Sequence, residues 1–227
     1  MSATTIPARF AEAFGEWTPR AIVFDCDGLL LDTESVWQRT EDRVVADHGA
    51  QLREGDADVL HGATIEVAAE LIARRSGHSE QEILDDLHRV FADELGTGMR
   101  TMPGAPEILA LAGERVPLGC ASNSWLASLE DKLVRGGLRE HVTVLEASDT
   151  VARPKPAPDM YAAAARALGA EPSEVLAFED SGTGAQSARD AGLRLIAVPT
   201  PGFSAPPADL ALSSLTDPEL AQWIRTW

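Results

Sequence analysis

Residues 21–33 read Ala21-Ile-Val-Phe-Asp25-Cys-Asp27-Gly28-Leu-Leu-Leu-Asp32-Thr33. Ala21 to Phe24 are apolar and partly β-branched, which predicts a short buried strand. Two aspartates follow at its end, two residues apart, and then a glycine. Like charges this close repel, and burying them costs free energy unless a positive group shares the space. The pair is poor for stability and suited to chemistry. A divalent cation is the natural partner, and aspartate is a nucleophile in phosphoryl transfer. An Asp-x-Asp-Gly string also suits an ordinary turn. A calcium loop of the EF-hand type does not fit. Counted from Asp25, its sixth and twelfth positions are Leu30 and Val36, where Gly and Glu are required.

Matching groups recur down the chain. Val116 to Ala121 is a second apolar run, ending in Ser122-Asn123-Ser124 before a helix-like segment, Trp125 to Val134. A hydroxyl and free backbone N–H groups at such a junction make an anion site, although an N-cap would also explain them. Arg153-Pro-Lys155-Pro-Ala-Pro158-Asp159 comes next, before the helix-like run Met160 to Leu168. Lys132 and Lys155 are the only lysines in 227 residues. Among three prolines, Lys155 sits on a stiff loop. The fourth element is Val175 to Phe178, followed by Glu179-Asp180-Ser181-Gly182 and a helix over about Gly184 to Ala191. An N-cap explains one of these two carboxylates and leaves the other. In an open parallel sheet, the carboxyl ends of the strands gather in one crevice, where ligands bind. Asp-x-Asp, Ser-Asn, Lys and Glu-Asp in that order therefore form a joint signal that none carries alone.

This order resembles the haloacid dehalogenase-like superfamily. Residues 20–199 carry all four of its motifs: Asp25 with Asp27, Ser122, Lys155, and Glu179 with Asp180. The strings FDCDGLLLDTE, KPAPDMY and EDSGTGAQSARDAG look most like its β-phosphoglucomutase-like and small sugar-phosphate phosphatase branch. The resemblance implies a three-layer α/β sandwich with a mostly parallel, Rossmann-like sheet. Residues 1–32 and 103–227 would form this core, with 33–102 a helical cap inserted after the first strand. It implies Mg2+ held by Asp25, the Asp27 carbonyl, Asp180 and Glu179. Asp25 would be the nucleophile and Asp27 the general acid and base. Ser122, Asn123, Ser124 and Lys155 would hold the phosphate.

Between Thr33 and Met102 helical periodicity replaces strand signals, over Val36–His48, Val59–Arg75 and Gln81–Leu95, with Gly49, Gly62 and Gly77 breaking the runs. Ser79-x-x-Glu82 reads as a capping box. The resemblance makes this insert a lid able to close over the crevice. Thr33, Trp37, His61 and Thr64 are its expected substrate contacts. After Pro199 the chain reads as a loop, then an edge element over Asp209–Leu215 and a closing helix over Pro218–Trp227.

Composition agrees with an α/β enzyme. A chain of 227 residues that is 44% hydrophobic can bury a full core. A net charge of −17 disfavours nucleic acid and anionic membrane as partners. A phosphorylated metabolite then needs a local positive site. No segment approaches the length of a membrane span, Met1 to Trp17 lacks a signal-peptide core, and Cys26 with Cys120 makes no disulfide framework. A reduced, cytoplasmic, monomeric protein is the expectation.

The reaction expected is hydrolysis of a small phosphate ester, most naturally a sugar phosphate. The resemblance argues against dehalogenation, because Asp27 is present. It argues against phosphonate cleavage, because the cap has no lysine. Phosphomutase is the rival: sugar phosphomutases of this kind carry a histidine where this chain has Trp37 and a lysine where it has Trp125, and both departures favour a hydrolase. Either tryptophan could line a pocket or pack in a core. A phosphometabolite-binding regulator would be expected to lose the nucleophile, the acid or the metal carboxylates, and all are present.

Overall fold

The computed structural model describes residues 5–60, 64–200 and 203–227. His61 lies outside the described residues. In chain order the elements begin with α1 (Ala8–Phe14), β1 (Ala21–Phe24), α2 (Thr33–Asp47), α3 (Asp56–Leu60), α4 (Ile65–Ser76) and α5 (Glu80–Thr97). Next come α6 (Ala105–Gly113), β2 (Leu118–Ser122), α7 (Leu126–Arg135), β3 (Val144–Ala147) and α8 (Asp159–Ala167). The chain closes with β4 (Val175–Glu179), α9 (Gly182–Asp190), β5 (Arg194–Ala197), β6 (Leu210–Ala211) and α10 (Pro218–Ile224). Two compact units result, Met1–Leu31 with Arg100–Trp227, and Asp32–Met99.

The first unit is built on a six-stranded sheet in the order β3-β2-β1-β4-β5-β6, with every pair parallel. β1, β2 and β4 are buried along their whole length, as strands covered on both faces must be. Their apolar runs carry no alternation for that reason. Phe24 pairs in register with Cys120 on one side and Phe178 on the other. The residues that follow these three positions therefore leave the sheet along one edge. Phe24 and Phe178 also stack, with ring centroids 4.8 Å apart. On one face, Val23, Ala121 and Ala177 of the sheet meet Met160, Tyr161 and Ala164 of α8 and Ala185 of α9. The alanines let helix and sheet approach closely.

α1, β3 and β5 carry no motif and are short, so patterning left them unmarked. α1 is held by Phe10 and Phe14, whose rings stack on Trp223 of α10 at 4.8 and 4.9 Å. Cys26 and Cys120 are buried free thiols. A hydrogen bond with Cys120, then burial, pushes the Cys26 thiol up.

The second unit is helical. Val44, Ala69, Ile72, Ile83, Leu87 and Val90 form its core. Three of its helices, α2, α4 and α5, start on side-chain caps: Asp32 accepts from Ser35 N at 3.1 Å, Thr64 from Val67 N at 3.5 Å and Ser79 from Glu82 N at 3.3 Å. Thr64 is extended, so the run over Val59–Arg75 is interrupted ahead of Ile65, close to the break expected at Gly62. α4 begins at Ile65, where the threonine side chain takes up an N–H of the first turn. Asp56 takes two bonds from Arg75 at 2.6 and 2.8 Å, tying α3 to the end of α4.

Candidate active site

Asp25, Asp27, Ser122, Asn123, Ser124, Lys155, Glu179 and Asp180 meet at the carboxyl edge of β1, β2 and β4. Asp25 continues the ladder for one residue, its N–H donating to Phe178 O at 3.0 Å. The turn after Asp27 depends on Gly28, whose φ is +82°. A Cβ there would stand 2.3 Å from Asp180 Oδ2 and 3.1 Å from Thr200 Oγ1. Glycine at this place admits the carboxylate of another strand.

Lys155 is the hub. Its Nζ donates to Asp25 Oδ1 and Glu179 Oε1, both at 2.6 Å, and to Ala121 O at 2.9 Å. The Lys155 backbone is clamped by the Asn123 side chain, which accepts from Lys155 N at 3.0 Å and donates to Lys155 O at 3.1 Å. Glu179 is fully buried. Its Oε1 also accepts from Tyr161 at 2.6 Å, and its Oε2 from Ser181 at 3.1 Å. A Cβ on Gly184 would stand 1.8 Å from Glu179 Oε1, so α9 can begin here only with glycine at that position. Ser181, accepting from Gly184 N at 3.1 Å, caps α9. Neither Glu179 nor Asp180 is spent on the cap.

Beside this hub lies a second ion pair. Lys132, buried on α7, donates to Asp27 Oδ1 and, at 2.7 Å, to Ser124 Oγ. Ser122 Oγ donates to Asp27 Oδ2 at 2.8 Å, and Ser124 Oγ lies 3.3 Å from the same atom. The serines do not cap α7. Trp125 occupies the cap position, and Asp149 accepts from Leu126 N at 2.8 Å.

The electrostatics follow from burial. Burial pushes the Asp25 carboxyl well up, Lys155 pulls it back, and Glu179, Asp180 and Asp27 push it further up. Asp180 is raised to about 6 by burial and by Glu179, against the hydroxyl of Thr200 at 3.0 Å. Burial alone would depress both lysines. Asp25 and Glu179 outweigh it at Lys155, and chiefly Asp27 outweighs it at Lys132, so both ammonium groups are held above their ordinary range. Burial and Glu179 drive the Tyr161 phenol up, and it stays a donor.

Asp25, Glu179 and Asp180 each offer an oxygen, all within 4.8 Å of one another. Lys155 offsets one of three negative charges. The balance left suits a dication, and an all-oxygen donor set suits Mg2+.

The other expected contacts belong to the helical unit. Thr33 opens α2, and Thr64 caps α4. Trp37 packs on that unit's core and edge-on against Phe91 at 5.6 Å. Trp125 is 73% exposed, so it is not a core residue. Lys132, Tyr161 and Thr200 were not anticipated. Composition held a signal for two of them. The chain has two lysines and one tyrosine, and all three are in this cluster.

The haloacid dehalogenase-like hydrolase profile matches residues 22–198. Hexitol phosphatase B of Escherichia coli (strain K12) is 35% identical over 215 residues, which span 88% of this chain and 96% of that protein. A solved haloacid dehalogenase family hydrolase from Deinococcus radiodurans R1, with bound phosphate and sodium, is 30% identical. It superposes with a TM-score of 0.72, covering 86% of this chain and 91% of its own. A variant of CbbY from Rhodobacter sphaeroides, in complex with xylulose-(1,5)bisphosphate, is 29% identical with a TM-score of 0.67. That match covers 88% of this chain and 96% of the other. The chain belongs to the haloacid dehalogenase-like hydrolases, in the branch of β-phosphoglucomutase-like proteins and small sugar-phosphate phosphatases.

Proposed function

We propose that this protein is a Mg2+-dependent phosphatase that hydrolyses the phosphate ester of a small sugar or polyol through an aspartyl-phosphate on Asp25. The observation that carries this reading is Asp25 at the end of β1, hydrogen-bonded to Lys155 and gathered with Glu179 and Asp180. The similarity to hexitol phosphatase B supports the substrate class.

Asp25 attacks phosphorus, and the bond from phosphorus to the ester oxygen breaks. Asp27 gives its proton to the departing alkoxide. It then takes a proton from water, whose oxygen attacks the aspartyl-phosphate and releases phosphate with Asp25 restored. Asp27 holds Lys132 and two serine hydroxyls in the resting state, so it must exchange these for the leaving oxygen. Ser122 and Lys155 hold the phosphoryl oxygens, and Lys155 balances the charge that builds on them. Asn123 acts through Lys155 by clamping its loop. Asp25, the Asp27 carbonyl and Asp180 would hold the dication, which supplies charge neutralisation at the transferring phosphoryl. Glu179 acts behind them, since its oxygens already serve Lys155, Tyr161 and Ser181.

The test is phosphate release from a panel of hexitol, hexose and pentose phosphates, with Mg2+ and with chelator. Release should need Mg2+ and fall more than about a thousandfold in Asp25→Asn. Turnover surviving in pure Asp25→Asn would sink the nucleophile. Isomerisation of β-glucose 1-phosphate without phosphate release would replace the phosphatase with a mutase.

A further inference from the structure

The helical unit holds a second group of side chains of metal-ligand type. His48 ends α2 as its C-cap residue. His78 precedes Ser79, the cap of α5, and Glu82 lies in the first turn of α5. One ring nitrogen from each histidine and one Glu82 oxygen lie within 4.8 Å of one another. We propose that His48, His78 and Glu82 bind a transition-metal dication of the zinc class.

Three features argue for it. The first is spacing. His78 Nδ1 stands 3.3 Å from Glu82 Oε2. Donors about 2.0–2.1 Å from a tetrahedral ion are about 3.3 Å apart, so this pair already has the separation of two ligands on one metal. The His48 and His78 rings are in direct edge-to-face contact, with centroids 4.7 Å apart and planes at 80°, so the two imidazoles share one small space.

The second is support behind the ligands. Asp86 bonds His48 Nε2 at 2.8 Å and is itself held by Arg89 at 2.7 Å. A carboxylate on one ring nitrogen fixes the tautomer and leaves the lone pair on the other, the usual arrangement behind a metal-bound histidine. His48 is well placed to be preorganised, with 9% of its side chain exposed.

The third is chemistry and access. Two imidazoles and one carboxylate suit Zn2+, Co2+ or Ni2+, and differ in kind from the all-oxygen cluster at Asp25. His78 and Glu82 are 41% and 52% exposed, which leaves a way in and room for a water as fourth ligand. An ion there would join the end of α2 to the start of α5 and stabilise the helical unit by mass action.

The experiment is equilibrium zinc binding to the full chain carrying Asp180→Asn, in excess Mg2+, so that the oxygen cluster does not compete. One zinc per chain is expected. His78→Ala should abolish it, and Asp86→Asn should weaken it about tenfold or more. Co2+ should give the visible bands of a tetrahedral nitrogen-ligated ion, lost in His78→Ala. His78 and Glu82 are at the surface, so His78→Ala and Glu82→Gln should keep the native circular dichroism spectrum, which guards against unfolding as the cause. Absence of zinc from the Asp180→Asn chain, or equal binding by folded His78→Ala, would overturn the proposal.

Discussion

Lys132 and Asp27 form an ion pair across 105 positions of sequence, joining α7 to the turn after β1. Lys132 is buried and the Asp27 side chain is about one-third exposed. Removing either charge takes away the other's ion-pair partner and leaves serine hydroxyls beside it. Lys132→Met should destabilise by about 1–3 kcal/mol. In Asp27→Asn the same substitution should cost much less, giving a coupling above about 0.5 kcal/mol in a urea double-mutant cycle. Additive losses would show that the pair contributes nothing.

Gly184→Ala should act against its helix propensity. Alanine in place of glycine within a helix ordinarily gains up to about 1 kcal/mol. Here the new methyl would fall 1.8 Å from Glu179 Oε1 and push the carboxylate off Lys155 and Tyr161. A loss of about 2 kcal/mol is expected, together with lower turnover. A stabilised, fully active Gly184→Ala protein would contradict the packing of α9 on Glu179.

Asn123→Ala should separate positioning from charge. It removes two bonds to the Lys155 backbone and leaves the ammonium in place. A fall of about tenfold in kcat/KM is expected, near the value of one well-placed neutral hydrogen-bond pair. Loss as complete as in Lys155→Met would mean that Asn123 does more than clamp the loop.

Glu41, on α2, should make stability depend on pH. Burial raises its carboxyl from 4.5 to about 7, with Glu34 adding to the shift. The nearby Trp37 indole N–H opposes it without a well-formed bond, and Glu41 Oε1 has no hydrogen-bond partner among the described residues. A raised carboxyl favours folding while both states are protonated. That advantage is lost as pH climbs from 4.5 to about 7, because the unfolded chain ionises first. Glu41→Gln should therefore stabilise by about 2 kcal/mol at pH 8 and by little at pH 4.5. Equal gains at both, in urea titrations, would assign the effect to packing instead.

The central strands and the polar residues at their tips were legible in the chain, because a strand buried on both faces writes an unbroken apolar run and its end is marked by residues with no place in a core. The order Asp25, Ser122, Lys155, Glu179 carried the family. The scarcity of lysine pointed at Lys155, and could have pointed at Lys132 and at the single tyrosine. The partners of those residues were not legible. Asn123 clamping Lys155, Lys132 meeting Asp27 and Gly184 yielding to Glu179 are pairings between segments far apart in sequence, and local pattern holds no information about which distant side chains share a space. The interruption before α4 was legible from Gly62, but the threonine cap at Thr64 that starts the new helix was not. β3, β5 and α1 were too short for a periodic signal. Their identity comes from pairing and burial, which are set by the packed sheet and its covering helices.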